Sequence, residues 1–331
     1  MAREPFYDNA RFLLVVLVVL THALEPGRRH DAVGFGVYSS FHLWVIPAFA
    51  LVSAVFAPTR ALTRADVGQL AGRLLLPYLL FHYAYLAIHP LLHRTPYSLD
   101  PLTPYWLTWY LMTLFWWRLM LPYIRGVPGI VGLSVVGGLL LGLVPGVGMW
   151  LSVARTVVFL PFFLAGHLYG RQLVAALDRP WAPWLGAAVW GGTLVAFGYA
   201  GHDVPVALLY AHTPYAELGW SPLEGIAARS LAYAWGFAVM VAFFALVPRT
   251  QRWFTPMGAA ALYPYLLHGF FLKLLLVVGV LPWGFLRPGG PVVLLGIAVA
   301  ITALCASPPM QRAMRFAVEP VSWIRRLRTP A

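Results

Sequence analysis

The apolar positions of this chain fall in long unbroken runs, without the two-residue alternation of a half-buried strand or the single stripe of a surface helix. Residues 12–20 read FLLVVLVVL, and comparable runs recur as far as position 307. A helix that is apolar all round belongs in a large core or in lipid, and a run of roughly 17–25 such residues is long enough to cross a bilayer. Ten segments meet this pattern: 10–25, 35–57, 70–92, 105–123, 128–146, 152–170, 182–200, 228–247, 258–280 and 291–307. Pro and Gly punctuate the junctions, as in LEPG, APTR, RGVPG and RPGGP. The pattern predicts an all-α polytopic membrane protein of about ten transmembrane helices. It forms one unit over 1–331, with a basic tail at 308–331. No internal repeat stands out, which weighs against transporter folds built from two related halves.

Composition agrees. Of 331 residues, 60% are hydrophobic and only 10% charged, with a mean hydropathy of +0.74. A water-soluble domain cannot hide that much apolar surface. Fourteen Trp, sixteen Tyr and twenty Phe suit aromatic belts at the two interfaces. The single cysteine, Cys305, lies in an apolar run, so no internal disulfide forms and thiolate chemistry is not expected. Glu4, Asp8 and Asn9 precede the first run, and ALEPGRRHD after it lacks a small-residue cleavage pattern. The first run is therefore expected to be a retained helix, with Asp8 or Asn9 capping its start.

The net charge of +12 would suit nucleic acid, but its distribution follows membrane topology instead. With the N-terminus in the cytoplasm, sixteen arginines fall on the inner side. Six fall on the outer side: Arg28, Arg29, Arg94, Arg155, Arg229 and Arg287. An even number of spans puts both termini in the cytoplasm. The expected location is the cell membrane, with the lipid bilayer as partner and no nucleic acid.

The first run opens on Arg11 and closes on His22. Eleven residues make three helical turns, so the two side chains share a face, roughly 16 Å apart along the axis. Glu25 follows three residues on, where its carboxylate reaches the imidazole. One reading has Arg11 reaching out to headgroups and His22 making an interhelical hydrogen bond. The other makes them functional, because ionisable groups at membrane depth are costly. Placing the other helices by depth gives two polar layers. Arg11 and Arg73, with Arg64 and Arg118 as further candidates, line one end. His22, Glu25, His82 and His268 lie deeper, with Arg155 beyond them. A cationic mouth suits phosphates, and a histidine with a carboxylate suits general-base catalysis. His82, His89, His93 and His167 are read as structural or interfacial. No metal is expected, since no histidine pair has H-E-x-x-H spacing. Tyr210, Tyr215 and Trp220 in the 201–228 connection either stack on a sugar or rest on headgroups.

These residues carry a family resemblance. FYDNARFLLVVLVVLTHALEP, with ten residues between Arg11 and His22, resembles the first helix of the acyltransferase-3 family of membrane-integral, acyl-CoA-dependent O-acyltransferases. FHLWVIPAFALVSA (41–54), GRLLLPYLLF (72–81), WYLMTLFWWRLMLP (109–122), ARTVVFLPFFLAGHLYG (154–170) and LYPYLLHGFF (262–271) are similar to later segments of that family, in order. The flavour is that of its sugar O-acetylases. Position 70 is Leu where the family often has a second arginine, and Ser53-Ala54 replaces a Ser-Gly pair. Nothing resembles an appended esterase domain.

The resemblance implies a cytoplasmic acyl-CoA donor, acetyl-CoA by family prevalence, and a carbohydrate or glycosylated acceptor. The donor's phosphates would meet Arg11 and Arg73, with Arg64 a further candidate, and its arm would thread towards His22. His22 would act as general base with Glu25 orienting it, or would carry the acyl group transiently. His268 would serve the oxyanion or the acceptor, or only bond between helices. Arg155 would be a site residue or the partner of a carboxylate. Trp109 would belong to the site or to packing, and His42 would line the acceptor opening. The rival is a transporter or flippase of a glycan or acylated intermediate, without covalent chemistry.

Overall fold

A computed structural model describes residues 4–27, 32–92, 98–200, 203–281 and 290–328. Arg28, Arg29, His93, Arg94 and Arg287 lie outside the described residues. Among those described there is no strand. The helices are α1 (Pro5–Leu24), α2 (Ala32–Ala54), α3 (Arg64–Leu92), α4 (Trp109–Ile124), α5 (Ile130–Leu141), α6 (Val153–Ala176) and α7 (Ala182–Ala200). They continue with α8 (Val206–Leu209), α9 (Pro222–Leu246), α10 (Thr255–Ala259), α11 (Leu262–Val277), α12 (Gly290–Ala306), α13 (Pro308–Val318) and α14 (Pro320–Arg328).

The apolar runs sort by how much of them is covered. The apolar windows of α1 and α2 are 67% and 72% buried, against 39% for α3 and for α9. α1 is packed by α2, α10, α11 and α12, and α2 by α6, α7 and α9. α1 and α2 thus form the axis of the bundle, while α3 and α9 show bare leucine and phenylalanine faces (Leu79, Leu80, Leu231, Phe237) to the surroundings. With no water to drive helices together in lipid, close packing must hold them. Gly166 lies against the Leu51 backbone and Gly236 against the Leu43 carbonyl, both of α2, where any Cβ would overlap.

Among the described residues five helices are long and apolar enough to cross a membrane, or six if the bent pair α12–α13 counts as one span. The chain is a helical membrane protein by this pattern. The ten predicted segments do not all become long straight helices, because Gly and Pro interrupt them. Segment 258–280 is split at 260–261, so α11 has 16 residues. The Gly-rich fifth segment keeps only the 12 residues of α5. Segment 105–123 opens with a 3-10 turn over Trp106–Thr108 before α4.

The start of α1 also differs. Pro5 occupies the first turn, where its fixed φ and missing N–H cost nothing, so Asp8 and Asn9 lie inside the helix and cap nothing. Asn9 is fully buried. Its amide donates to the Pro248 and Thr250 carbonyls at 2.8 and 2.9 Å, and its Oδ1 accepts from Thr255 Oγ1 at 2.6 Å. What resembles a cap is a clamp on the α9–α10 connection.

Candidate active site

His22 occupies the last turn of α1, and Glu25 begins the 3-10 turn that follows. Helical spacing brings His22 Nδ1 to 3.5 Å from Glu25 Oε2. A carboxylate only accepts, so Nδ1 is the nitrogen that carries hydrogen, and in the neutral ring Nε2 has the lone pair. His268 of α11 stacks on His22, with ring centroids 5.4 Å apart at 26°. It is fully buried, and its Nδ1–H donates to the Pro264 carbonyl at 2.8 Å. Its Nε2 is therefore an acceptor, buried and without a hydrogen-bond partner among the described residues. In this tautomer His268 can receive a hydrogen bond from a hydroxyl but cannot donate one to an oxyanion.

Two residues without a role in the sequence reading complete this cluster. Trp106 turns its Nε1–H to Glu25 Oε2 at 3.4 Å and meets the His22 ring edge-on at 4.9 Å. Its backbone sits at φ 48°, a left-handed conformation that non-glycine residues avoid. Lys273 Nζ stands 4.7 Å over the same indole, a cation–π contact. Behind it, a Cβ on Gly269 would lie 2.5 Å from the Trp106 ring, so only glycine admits the indole there. The one signal in the sequence was Lys273 itself, a sole lysine within an apolar run.

His22, Glu25 and Trp106 are shared by two cavities. The larger, about 730 Å³, extends past Thr103, Tyr105 and Lys273. The smaller, about 290 Å³, holds His42, Trp109 and Arg155 on its wall. The fold thus brings those three sequence candidates to His22. Arg155 finds no carboxylate among the described residues. Its Nε–H donates to the Tyr210 carbonyl at 3.0 Å, its Nη2–H to His212 Nδ1 at 3.1 Å, and its guanidinium lies 4.6 Å over the Trp109 ring. Burial, with this guanidinium beside it, pushes His212 down to about 4, so it is the neutral acceptor that Arg155 requires. His42 donates from Nδ1 to the Tyr38 carbonyl at 2.9 Å. Tyr210 reaches the same cavity and shares a 2.6 Å hydrogen bond with the Tyr38 hydroxyl. Tyr215 is no sugar platform: its buried ring fills the space that side chains at Gly142 and Gly225 would need.

A third cavity, about 600 Å³, lies towards the Arg11 end of the bundle and holds Arg73 and Arg118. Arg11 donates to Asp8 Oδ1 at 2.9 Å, and its charge and that of Arg73 both act on Arg118. Arg64 is exposed at the start of α3 and lines none of these cavities. No residue is shared between the Arg73 cavity and those at His22. Phe49, Tyr110 and Tyr265 form its floor. Tyr110 is tied to Ser53 Oγ at 2.9 Å and Tyr265 to the Leu107 carbonyl. Rings step from Tyr265 to His268, 6.4 Å, and on to His22. Among the described residues no group of His, Cys, Asp or Glu could hold a metal ion. The histidines read as structural find local partners: Tyr105 N–H donates to His82, His89 pairs with the Tyr105 hydroxyl, and His167 donates to the Ala54 carbonyl.

The helical membrane bundle thus holds a paired imidazole lining two cavities, with an arginine-lined cavity towards its other end. Residues 4–307 match the family described as an acyltransferase domain, and the chain belongs to this acyltransferase-3 family. It is an acyltransferase. No curated protein and no solved structure matches it.

Proposed function

We propose that the protein transfers an acyl group, acetyl by family prevalence, from cytoplasmic acyl-CoA to a hydroxyl of a carbohydrate or glycosylated acceptor at the cell membrane. Ten membrane crossings with both termini cytoplasmic give the orientation, so the arginine cavity faces the donor's compartment. The observation that carries the reading is His22. Its imidazole lines two cavities while Nδ1–H is directed at Glu25.

The acceptor hydroxyl lies in a cavity at His22 and gives its proton to Nε2 as its oxygen attacks the thioester carbonyl. The C–S bond breaks, and the departing thiolate takes the proton back from His22. Glu25 holds the ring and stabilises the imidazolium. His268 Nε2 accepts a hydrogen bond from the acceptor, which orients it. Arg73 and Arg118, with Arg11 beside them, attract the donor's phosphates. The pantetheine arm passes the Phe49–Tyr110–Tyr265 floor, so those rings turn aside for the thioester to reach His22.

The test is thiol release from acetyl-CoA and longer donors by the protein in nanodiscs, with a panel of sugar acceptors. The expected result is donor-dependent release matched by acylated sugar. A protein that neither binds nor consumes any donor overturns the reading and brings the transporter forward. Trp106→Phe keeps a ring beside His22 but removes the hydrogen bond to Glu25. A hydrogen bond to a charged group is worth ~1.5–3 kcal/mol, and at the lower limit kcat falls about tenfold. An unchanged kcat would show that Trp106 does not hold Glu25 in place.

A further inference from the structure

The family match ends at residue 307, yet the arginine cavity is closed by residues beyond it. α13 leaves α12 at 71°, and α14 follows it after Glu319. Ser307 caps the turn, its hydroxyl accepting from the Met310 N–H. α14 packs across α3, where Gly72 leaves room for it: a Cβ there would come within 2.6 Å of Val321 Cγ2. Val318, Val321, Ser322 and Arg325 thereby form one wall of the 600 Å³ cavity, facing Arg73 and Arg118.

Among the described residues that line this enclosure, three guanidinium groups meet one carboxylate, Glu319, whose Oε2 accepts from Ser322 Oγ at 3.1 Å. Arg118 Nε is buried and has no hydrogen-bond partner among the described residues. A buried guanidinium donor without an acceptor is costly, and an anion brought into the cavity relieves that cost. The guanidinium fork fits phosphate oxygens in particular. The Gly72–Val321 seat also shows that the tail is packed into place.

We propose that Arg325 is a donor-binding residue: α14 forms a wall over the nucleotide end of acyl-CoA, and Arg325 joins Arg73 and Arg118 in holding its phosphates. This rests on the acyl-CoA reading above. It makes the tail part of the donor site, so affinity for the donor depends on α14 being seated against Gly72.

Calorimetric titration of free CoA into the full chain in nanodiscs tests it. Wild type is expected to bind, Arg325→Gln about tenfold more weakly, and Arg325→Lys in between. Arg326→Gln, next along α14 and absent from the cavity wall, binds as wild type does. Gly72→Leu, which pushes Val321 off its seat, reproduces the loss with Arg325 intact. Pantetheine, which lacks the nucleotide and its phosphates, binds wild type and Arg325→Gln alike. CoA affinity unchanged in Arg325→Gln overturns the inference while the donor reading stands, and so does an equal loss for pantetheine. Failure of wild type to bind CoA at all overturns both.

Discussion

His22→Ala is expected to abolish turnover, by roughly 10²–10⁴-fold, the range typical of a general base, and to leave the protein folded and able to bind CoA. The side chain is about one-fifth exposed and forms part of two cavity walls. Its removal enlarges a space that already exists and strands no buried partner: Glu25 keeps Trp106, and the His268 Nε2 is already without one. A change of this kind costs about 1 kcal/mol or less. The arginine cavity shares no residue with the site, so CoA affinity stays at the wild-type value. The measurements are a thermal melt, a CoA titration and acetyl transfer on one preparation. Because the void lies against a cavity, added imidazole can occupy it, and part of the activity returns. If the variant folds and still turns over within tenfold of wild type, His22 is not the base. If it loses CoA binding as well, the separation of donor cavity and base is wrong.

Much of this site was written in spacing along one helix. The eleven residues from Arg11 to His22 fix relative direction on α1, and the three from His22 to Glu25 carry it into the turn that follows, whatever the rest of the chain does. Depth in the bundle then brought His268 to His22, because α11 lies beside α1. Trp106 was not legible in this way. It reaches Glu25 only because the chain takes a left-handed turn just before α4, and no local pattern announces a tryptophan at φ 48°. Lys273 was visible as an oddity, but its place over that indole depends on Gly269, on the same helix, being small. Arg155 was legible as a site residue or as the partner of a carboxylate. That its acceptors are a carbonyl and a neutral histidine follows from the 210–212 loop folding back, which is a tertiary event. Where the helices break was the least legible feature. Apolar runs record affinity for lipid, while the breaks at 260–261 and after Ala306 record where helices turn.

Gly258→Ala is expected to destabilise the protein severely, although it adds a single methyl group far from His22. Gly258 lies in α10 against the first turns of α1, and a Cβ there would stand 1.7 Å from the Asp8 carbonyl oxygen and 2.5 Å from its carbon. Neither atom can rotate out of the way, since both are backbone in a buried helix. The helices must separate, and Asn9 is what holds them. Moving α10 draws Thr255 Oγ1 off Asn9 Oδ1, and shifting the connection strains the two bonds from the Asn9 amide to Pro248 and Thr250. Overpacking costs about 1–3 kcal/mol, and each buried polar group left without its partner costs about 1–3 kcal/mol more. The total reaches several kcal/mol, a fall in melting temperature on the order of 10 °C. Gly191→Ala in α7 is the control, because nothing lies within 4 Å of the added carbon and alanine favours a helix. Equal melting of the two variants would show that the α1–α10 contact does not hold the bundle. Separate melting, with the Gly258→Ala protein still active per folded molecule at low temperature, would assign this contact to the frame that positions Arg11 and His22.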